Sequence, residues 1–180
     1  MDRELISTSK FLSLVLRHHP ETIGISLDEQ GWIEIGDLLA AANRSGRNLT
    51  RPLLDRVVRE NDKQRFAISS DGTQIRANQG HSIEVDLGLH PSQPPVLLYH
   101  GTVARFMDSI RASGLDRGSR QYVHLSPDVE TARRVGQRRG RPVILFVESG
   151  RMWQDGHTFN QAENGVSLTE TVPPEYLRFE

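Results

Sequence analysis

The feature that most constrains the fold is a short run at mid-chain, His90-Pro91-Ser92-Gln93-Pro94-Pro95. Three prolines in six residues remove the backbone donors that a helix or a central strand needs, so the run reads as a linker. The hydrophobic pattern differs on its two sides. A chain of 180 residues is long enough for two small domains, and the linker places them at 1–89 and 90–180.

Before the linker the pattern is helical, then hairpin-like. Leu5, Leu12, Val15 and Leu16 fall at helical spacing over 5–18, and Pro20 stops that helix. Trp32-Ile33-Glu34-Ile35 alternates like a short strand, and Asp37 through Ala42 follows as a short helix. Thr50 reads as an N-cap ahead of Pro52, with Leu54, Val57 and Val58 on the buried side and Arg51, Arg56 and Arg59 opposite. Arg65–Ser69 and Thr73–Ala77 flank Ser70-Asp71-Gly72, a hairpin turn. Three helices with a two-stranded wing form a winged-helix pattern. Many such modules bind nucleic acid and many bind only protein, so the pattern does not decide function.

After the linker, strands alternate with helices. Val96–Tyr99 is an apolar strand ending in His100-Gly101-Thr102, followed by a helix over about 103–112 that Gly114 stops. Tyr122–Leu125 is a strand. Ser126 and Pro127 read as the N-cap and first turn of a helix to Arg139, and Gly140 ends it. Val143–Val147 is a buried strand, with further short strands at Thr158-Phe159, Val166–Leu168 and Leu177–Phe179. The class is α+β.

Composition excludes several chemistries. Without cysteine there is no disulfide, zinc-thiolate site or thiol nucleophile, which fits a reducing compartment. The start, Met1-Asp2-Arg3-Glu4, lacks an apolar signal segment, and no apolar run approaches the ~20 residues that cross a bilayer. A soluble, cytoplasmic protein without membrane contact is expected. Net charge is −1, so nucleic-acid binding would have to come from a local patch. Lys10 and Lys63 are the only lysines; every other fixed side-chain cation is arginine, whose planar fork grips phosphate oxygens in pairs. Codon bias explains surface arginines equally well.

Five short motifs carry the polar chemistry, and none has metal-ligand or Ser/Cys-nucleophile spacing. In Arg17-His18-His19-Pro20 the adjacent histidines point about 100° apart, so a regular helix cannot aim both at one metal. Either could simply be a helix C-terminal histidine favoured by the dipole. Arg65 opens the first wing strand, and it is either an exposed edge cation or a group pointing back at the first helix. Asn78-Gln79-Gly80-His81-Ser82 is an ordinary polar turn or a loop that approaches an anion. His100-Gly101-Thr102 puts an imidazole, a glycine that admits a close ligand and a hydroxyl at one strand end. Val123-His124-Leu125-Ser126 adds a second strand-end histidine, with Arg120 just before it. Neither a dinucleotide-binding glycine fingerprint nor a P-loop is present.

Taken in order, these motifs resemble the RNA 2′-phosphotransferase family, which removes a splice-junction 2′-phosphate from tRNA using NAD. The matching text is Leu12-Ser13-Leu14-Val15-Leu16-Arg17-His18-His19-Pro20, Gly31-Trp32, Arg65-Phe66, Ile75 through Ser82, Tyr99-His100-Gly101-Thr102, Val123-His124-Leu125-Ser126 and Asn164-Gly165-Val166. The resemblance implies an N-terminal winged-helix RNA-binding lobe and a C-terminal ADP-ribosyltransferase-like lobe that binds NAD. It implies that the RNA 2′-phosphate displaces nicotinamide from NAD. The ribose 2″-hydroxyl of the ADP-ribosylated RNA then attacks phosphorus, leaving 2′-OH RNA and ADP-ribose 1″,2″-cyclic phosphate.

The family's catalytic Arg-His-Arg-Arg set maps to Arg17, His18, Arg65 and Arg120, with Arg117 a competing choice for the last. NAD contacts map to His100, Gly101, Thr102, His124, Ser126 and Asn164. RNA contacts map to Arg76, Asn78, Gln79, Gly80, His81 and Ser82. No metal is implied, and a monomer is expected. ADP-ribosyltransferases acting on proteins often carry a glutamate where this chain has Asn164-Gly165-Val166-Ser167, with Glu163 alongside. Its absence suits an acceptor that is already an anionic phosphate. Two rival readings remain: an ADP-ribosyltransferase for nucleic-acid phosphate ends or proteins, and a winged-helix nucleic-acid binder with an NAD-sensing second lobe.

Overall fold

The computed structural model describes residues 3–61 and 63–179. Met1 and Asp2, part of the stretch read above as lacking a signal segment, lie outside the described residues. The chain divides into two compact units, Met1–Gly88 and Leu89–Glu180. The fold is mixed, with helices and antiparallel sheets in both units.

The first unit comprises helix α1 (Arg3–Arg17), a 3-10 turn (Pro20–Ile23), strand β1 (Ile33–Glu34), helices α2 (Ile35–Arg44) and α3 (Arg51–Arg59), and strands β2 (Phe66–Ile68) and β3 (Gln74–Ala77). Leu5, Leu12, Val15 and Leu16 form the buried face of α1. They pack with Leu38 of α2, Leu54 and Val57 of α3, and Ile75 and Ala77 of β3. Thr50 caps α3 by accepting from the Leu53 amide. The expected two-stranded wing is a three-stranded sheet in the order β1-β3-β2, because Ile33 pairs with Ile75 on the edge of β3 that β2 leaves open.

The second unit comprises β4 (Leu98–Val103), a 3-10 turn (Ala104–Phe106), α4 (Met107–Ser113), β5 (Leu115–Asp116), β6 (Val123–Leu125), α5 (Val129–Gly136) and a 3-10 turn (Gln137–Arg139). After these come β7 (Pro142–Val147), α6 (Ser149–Gln154), β8 (Asn160–Gln161), β9 (Ser167–Thr169), β10 (Thr171–Val172), a 3-10 turn (Pro174–Tyr176) and β11 (Leu177–Phe179). The strands pair as β11-β7-β4, β6-β9-β8 and β10-β5. Leu98, Leu125, Leu145, Val147, Met152 and Phe159 centre the core.

Three further expectations, all in the second unit, need correction. His100-Gly101-Thr102 does not follow the strand but lies inside it: β4 pairs with β7 along all six residues, Val103 with Pro142 included. Weak strand propensity of Gly and His is overridden by a partner strand of equal length. Ser126 does not cap α5. Its amide and carbonyl both pair with Tyr99, at 2.7 and 2.9 Å, and Pro127 holds it extended. Asp128 is the cap, accepting from the Thr131 amide at 2.7 Å. Finally, 90–95 is not a free tether: the Ser92 amide donates to the Phe159 carbonyl, and Ser149 Oγ donates to that of Pro95. The short α6, with a glycine at its second position, carried no periodic signal.

Gly101 has a packing role that sequence did not suggest. A Cβ there would overlap the Ala132 carbonyl and crowd the Gly136 amide, so α5 fills the space read above as access for a ligand. Gly101→Ala is therefore expected to lower unfolding free energy by about 3 kcal/mol, measured by urea denaturation, with no comparable loss for Gly36→Ala, whose Cβ meets nothing.

Candidate functional site

In the first unit the end of α1, the start of β2 and the loop after β3 converge. Arg17, only 9% exposed, donates from Nη2 to the Arg65 carbonyl at 3.2 Å, and its guanidinium lies 5.9 Å from the Phe66 ring centre. The Arg17 carbonyl accepts from the Ser82 amide at 3.0 Å. His18 Nδ1 is hydrogen-bonded with Ser82 Oγ at 2.9 Å. His19 turns away, to Glu21 at 2.9 Å, so the paired histidines separate as their helical spacing requires.

Arg65 is half-buried, and that burial lowers its pKa from the ordinary guanidinium value. It nevertheless stays cationic at neutral pH. Its Nη1 donates to Asn61 Oδ1 at 3.1 Å, and Asn61 Nδ2 donates to Ser9 Oγ at 3.3 Å. Asn61 is a positioning residue that sequence reading missed; in the sequence it is one polar residue in a turn. His18, Asn61 and Arg65 line one cavity of about 460 Å³.

The loop assigned to RNA divides by exposure. Ser82 is exposed, and Arg76 and Gln79 are half-buried, Arg76 lying 4.6 Å from the Trp32 ring centre. Asn78, Gly80 and His81 are buried. Asn78 donates to the Gln64 carbonyl at 2.6 Å from its side chain and to the Arg65 carbonyl at 2.9 Å from its amide. Gln64 sits at φ 40°, a left-handed backbone uncommon for a side chain of this type. The contacts of Asn78 therefore hold the backbone that carries Arg65.

In the second unit, β4 and β6 bring His100 and His124 together. His100 Nδ1 donates to the His124 carbonyl at 3.2 Å, which fixes the proton on Nδ1 and leaves Nε2 as an acceptor. Burial lowers the His100 pKa, with Arg139 and Arg120 adding to the effect, so the ring is neutral at pH 7. Arg120 donates from Nη1 toward His124 Nδ1 at 3.5 Å, and desolvation lowers its pKa. Arg117 instead reaches the Gln121 carbonyl at 3.4 Å. Thr102 and Ser126 are buried. Asn164 stands at the hairpin tip between β8 and β9, where Gly165 takes φ 78° and Asn164 Oδ1 accepts from the Val166 amide at 3.4 Å.

Among the described residues no group of three or more His, Asp and Glu is placed to hold a metal ion, and no helix is long and apolar enough to cross a membrane. Fold and sites together define a mixed α/β protein whose guanidinium and imidazole groups gather where they suit anionic ligands. The chain belongs to the RNA 2′-phosphotransferase, Tpt1 / KptA family, whose sequence model matches residues 3–171. It is 56% identical over 179 residues to the probable RNA 2′-phosphotransferase of Rhodopirellula baltica, covering 99% of this chain and 97% of that one. It is 58% identical over 174 residues to the protein of that name in Streptomyces coelicolor (97% and 94% covered), and 55% over 179 residues to that of Escherichia coli O6:K15:H31 (99% and 97%).

His81 makes the first unit pH-sensitive. It is 1% exposed, and neither ring nitrogen has a hydrogen-bond partner among the described residues. Burial, then the charges of Arg17, His18 and Arg76, push its pKa from 6.5 down to about 4. The unfolded chain therefore takes up the proton first. Stability from this group is complete above pH 6.5 and falls as pH drops toward 4. Between pH 7 and 4 the native chain should lose about 3 kcal/mol more than His81→Leu, measured by urea unfolding at each pH.

Proposed function

We propose that the chain transfers an internal RNA 2′-phosphate to NAD, giving 2′-OH RNA, nicotinamide and ADP-ribose 1″,2″-cyclic phosphate through an ADP-ribosylated RNA 2′-phosphate. In this reading the first unit is a winged-helix RNA-binding lobe and the second an ADP-ribosyltransferase-like lobe. The observation that carries it is the convergence of three separate motifs on one place in the first unit: Arg17-His18, Arg65-Phe66 and the loop ending in Ser82. Family membership supports the same reaction class.

The residues of the second unit fit NAD. His100 offers a neutral ring with Nε2 as acceptor, suited to a ribose hydroxyl or a carboxamide N–H of the nicotinamide end. Thr102 lies on β4 and His124 on β6, Ser126 follows β6 in a bridge to Tyr99 of β4, and Asn164 is at a hairpin tip. Gly101 contributes through packing of α5 beneath these groups. NAD, when bound, supplies an anomeric carbon with a good leaving group and later the attacking 2″-hydroxyl.

The protein's own groups act on the phosphate. Arg65, held by Asn61, is oriented before substrate arrives, so it stabilises the charge growing on the phosphoryl oxygens without reorganising. His18 donates or takes a proton in the transesterification, with Ser82 fixing its ring. Arg17, being buried and bonded to the Arg65 carbonyl, orders this cluster. Arg120, with His124 beside it, is the better choice over Arg117 for the fourth member, since Arg117 reaches a carbonyl of its own loop.

Incubation of a 2′-phosphorylated RNA oligonucleotide with NAD in EDTA, followed by mass spectrometry, should yield nicotinamide and 2′-OH RNA; intact reactants would refute the reading. His18→Ala and Arg65→Ala should stall the second step, lowering overall turnover by about 10²–10³ while ADP-ribosylated RNA accumulates. Arg120→Ala should cost a similar factor, and Arg117→Ala less than tenfold, in the same assay.

A further inference from the structure

The cavity that reaches His18 and Arg65 continues along the outer face of α1, well past the groups used for the phosphate. Ile6, Ser9, Lys10, Ser13 and Leu14 line it from the helix, with Lys63 opposite. These helical positions recur three and four apart, so they form one continuous stripe ending at His18. The volume of about 460 Å³ falls in the range of roughly 300–1,000 Å³ occupied by whole small molecules, which is more room than a phosphate group needs.

The chemistry of the stripe is selective. The chain has two lysines, and both line this groove. With Arg65 and His18 they make four basic residues, and no carboxylate is among the described residues that line it, although the whole chain carries a net charge of −1. Ser9 and Ser13 supply hydroxyls. Leu14 and Ile6 are two of the few large apolar side chains left in solvent, at 42% and 38% exposure. Regularly placed cations and hydroxyls beside exposed apolar side chains match a single nucleic-acid strand, which alternates phosphodiesters with flat, weakly polar bases. A protein segment would need carboxylates in register with the two lysines to match as well.

We propose that this groove is the track for the RNA strand adjoining the 2′-phosphorylated nucleotide. Lys10 and Lys63 pair with backbone phosphates, Ser9 and Ser13 hydrogen-bond to phosphate or ribose oxygens, and Leu14 and Ile6 pack against a base or sugar. The assignment rests on the reaction proposed above. It differs from the RNA contacts implied for the 76–82 loop, because it places the flanking strand on the first helix.

The test compares a 2′-phosphorylated dinucleotide with a 2′-phosphorylated oligonucleotide of about 12 residues at 50 and 200 mM salt, a range over which phosphate contacts are strongly weakened. It uses the native chain, the double variant Lys10→Ala/Lys63→Ala, its Lys→Arg counterpart, and Arg44→Ala as a surface-charge control on α2. The double alanine variant should lower the long-to-short ratio of kcat/KM about tenfold, through KM. It should also reduce the salt slope for the long RNA by about 1.4, at ~0.7 per lost contact. The arginine pair should restore both, and Arg44→Ala should match the native chain. Turnover of both RNAs with the same ratio and slope in the native chain and the double variant would overturn the groove assignment alone. No turnover of either RNA by the native chain would remove the proposed reaction, and the groove assignment with it.

Discussion

Burial of Arg17 is the constraint on which the first unit's chemistry depends. A guanidinium that is 9% exposed cannot be left without partners, because an unpaired buried charge costs several kcal/mol. The fold answers with the Arg65 carbonyl, and it ties the Arg17 backbone to Ser82. Closing those contacts forces the start of β2 and the loop after β3 over the end of α1. His18 is next along the chain, so it meets Ser82 as a consequence, and Asn78 holds the turn before β2 through the carbonyls of Gln64 and Arg65.

The second unit is organised by a different constraint, the ladder between β4 and β7. It runs the full length of both strands and carries His100, Gly101 and Thr102 within it. Gly101 lets α5 approach until helix backbone occupies the place of a side chain. The adjoining pairing of Tyr99 with Ser126 brings the end of β6 alongside, which puts the His124 carbonyl within reach of the His100 ring. One glycine and one irregular bridge thus determine which proton His100 carries.

Much of the architecture was legible in the residues. The helical faces of α1 and α3, the Thr50 cap, the Ser70-Asp71-Gly72 turn and the buried strand β7 all follow from periodicity and local stereochemistry. What escaped was decided at a distance. The pairing of β1 with β3 that adds a third strand to the first sheet, the extension of β4 to Val103 and the shift of the α5 cap to Asp128 each depend on a partner far away in sequence. Asn61 shows the same limit within the site: nothing nearby marks it, yet it holds Arg65.

By itself the amino-acid order determined the mixed class, the division near residue 89, and the residue types suited to phosphate and ribose, because those properties reside in composition, spacing and motif text. Only the tertiary structure decided which histidine of the pair meets Ser82, that His81 is enclosed, that Gly101 serves a helix, and that both lysines share one groove with Arg65. Those outcomes depend on burial and on contacts between remote segments, and neither is encoded within the reach of a local pattern.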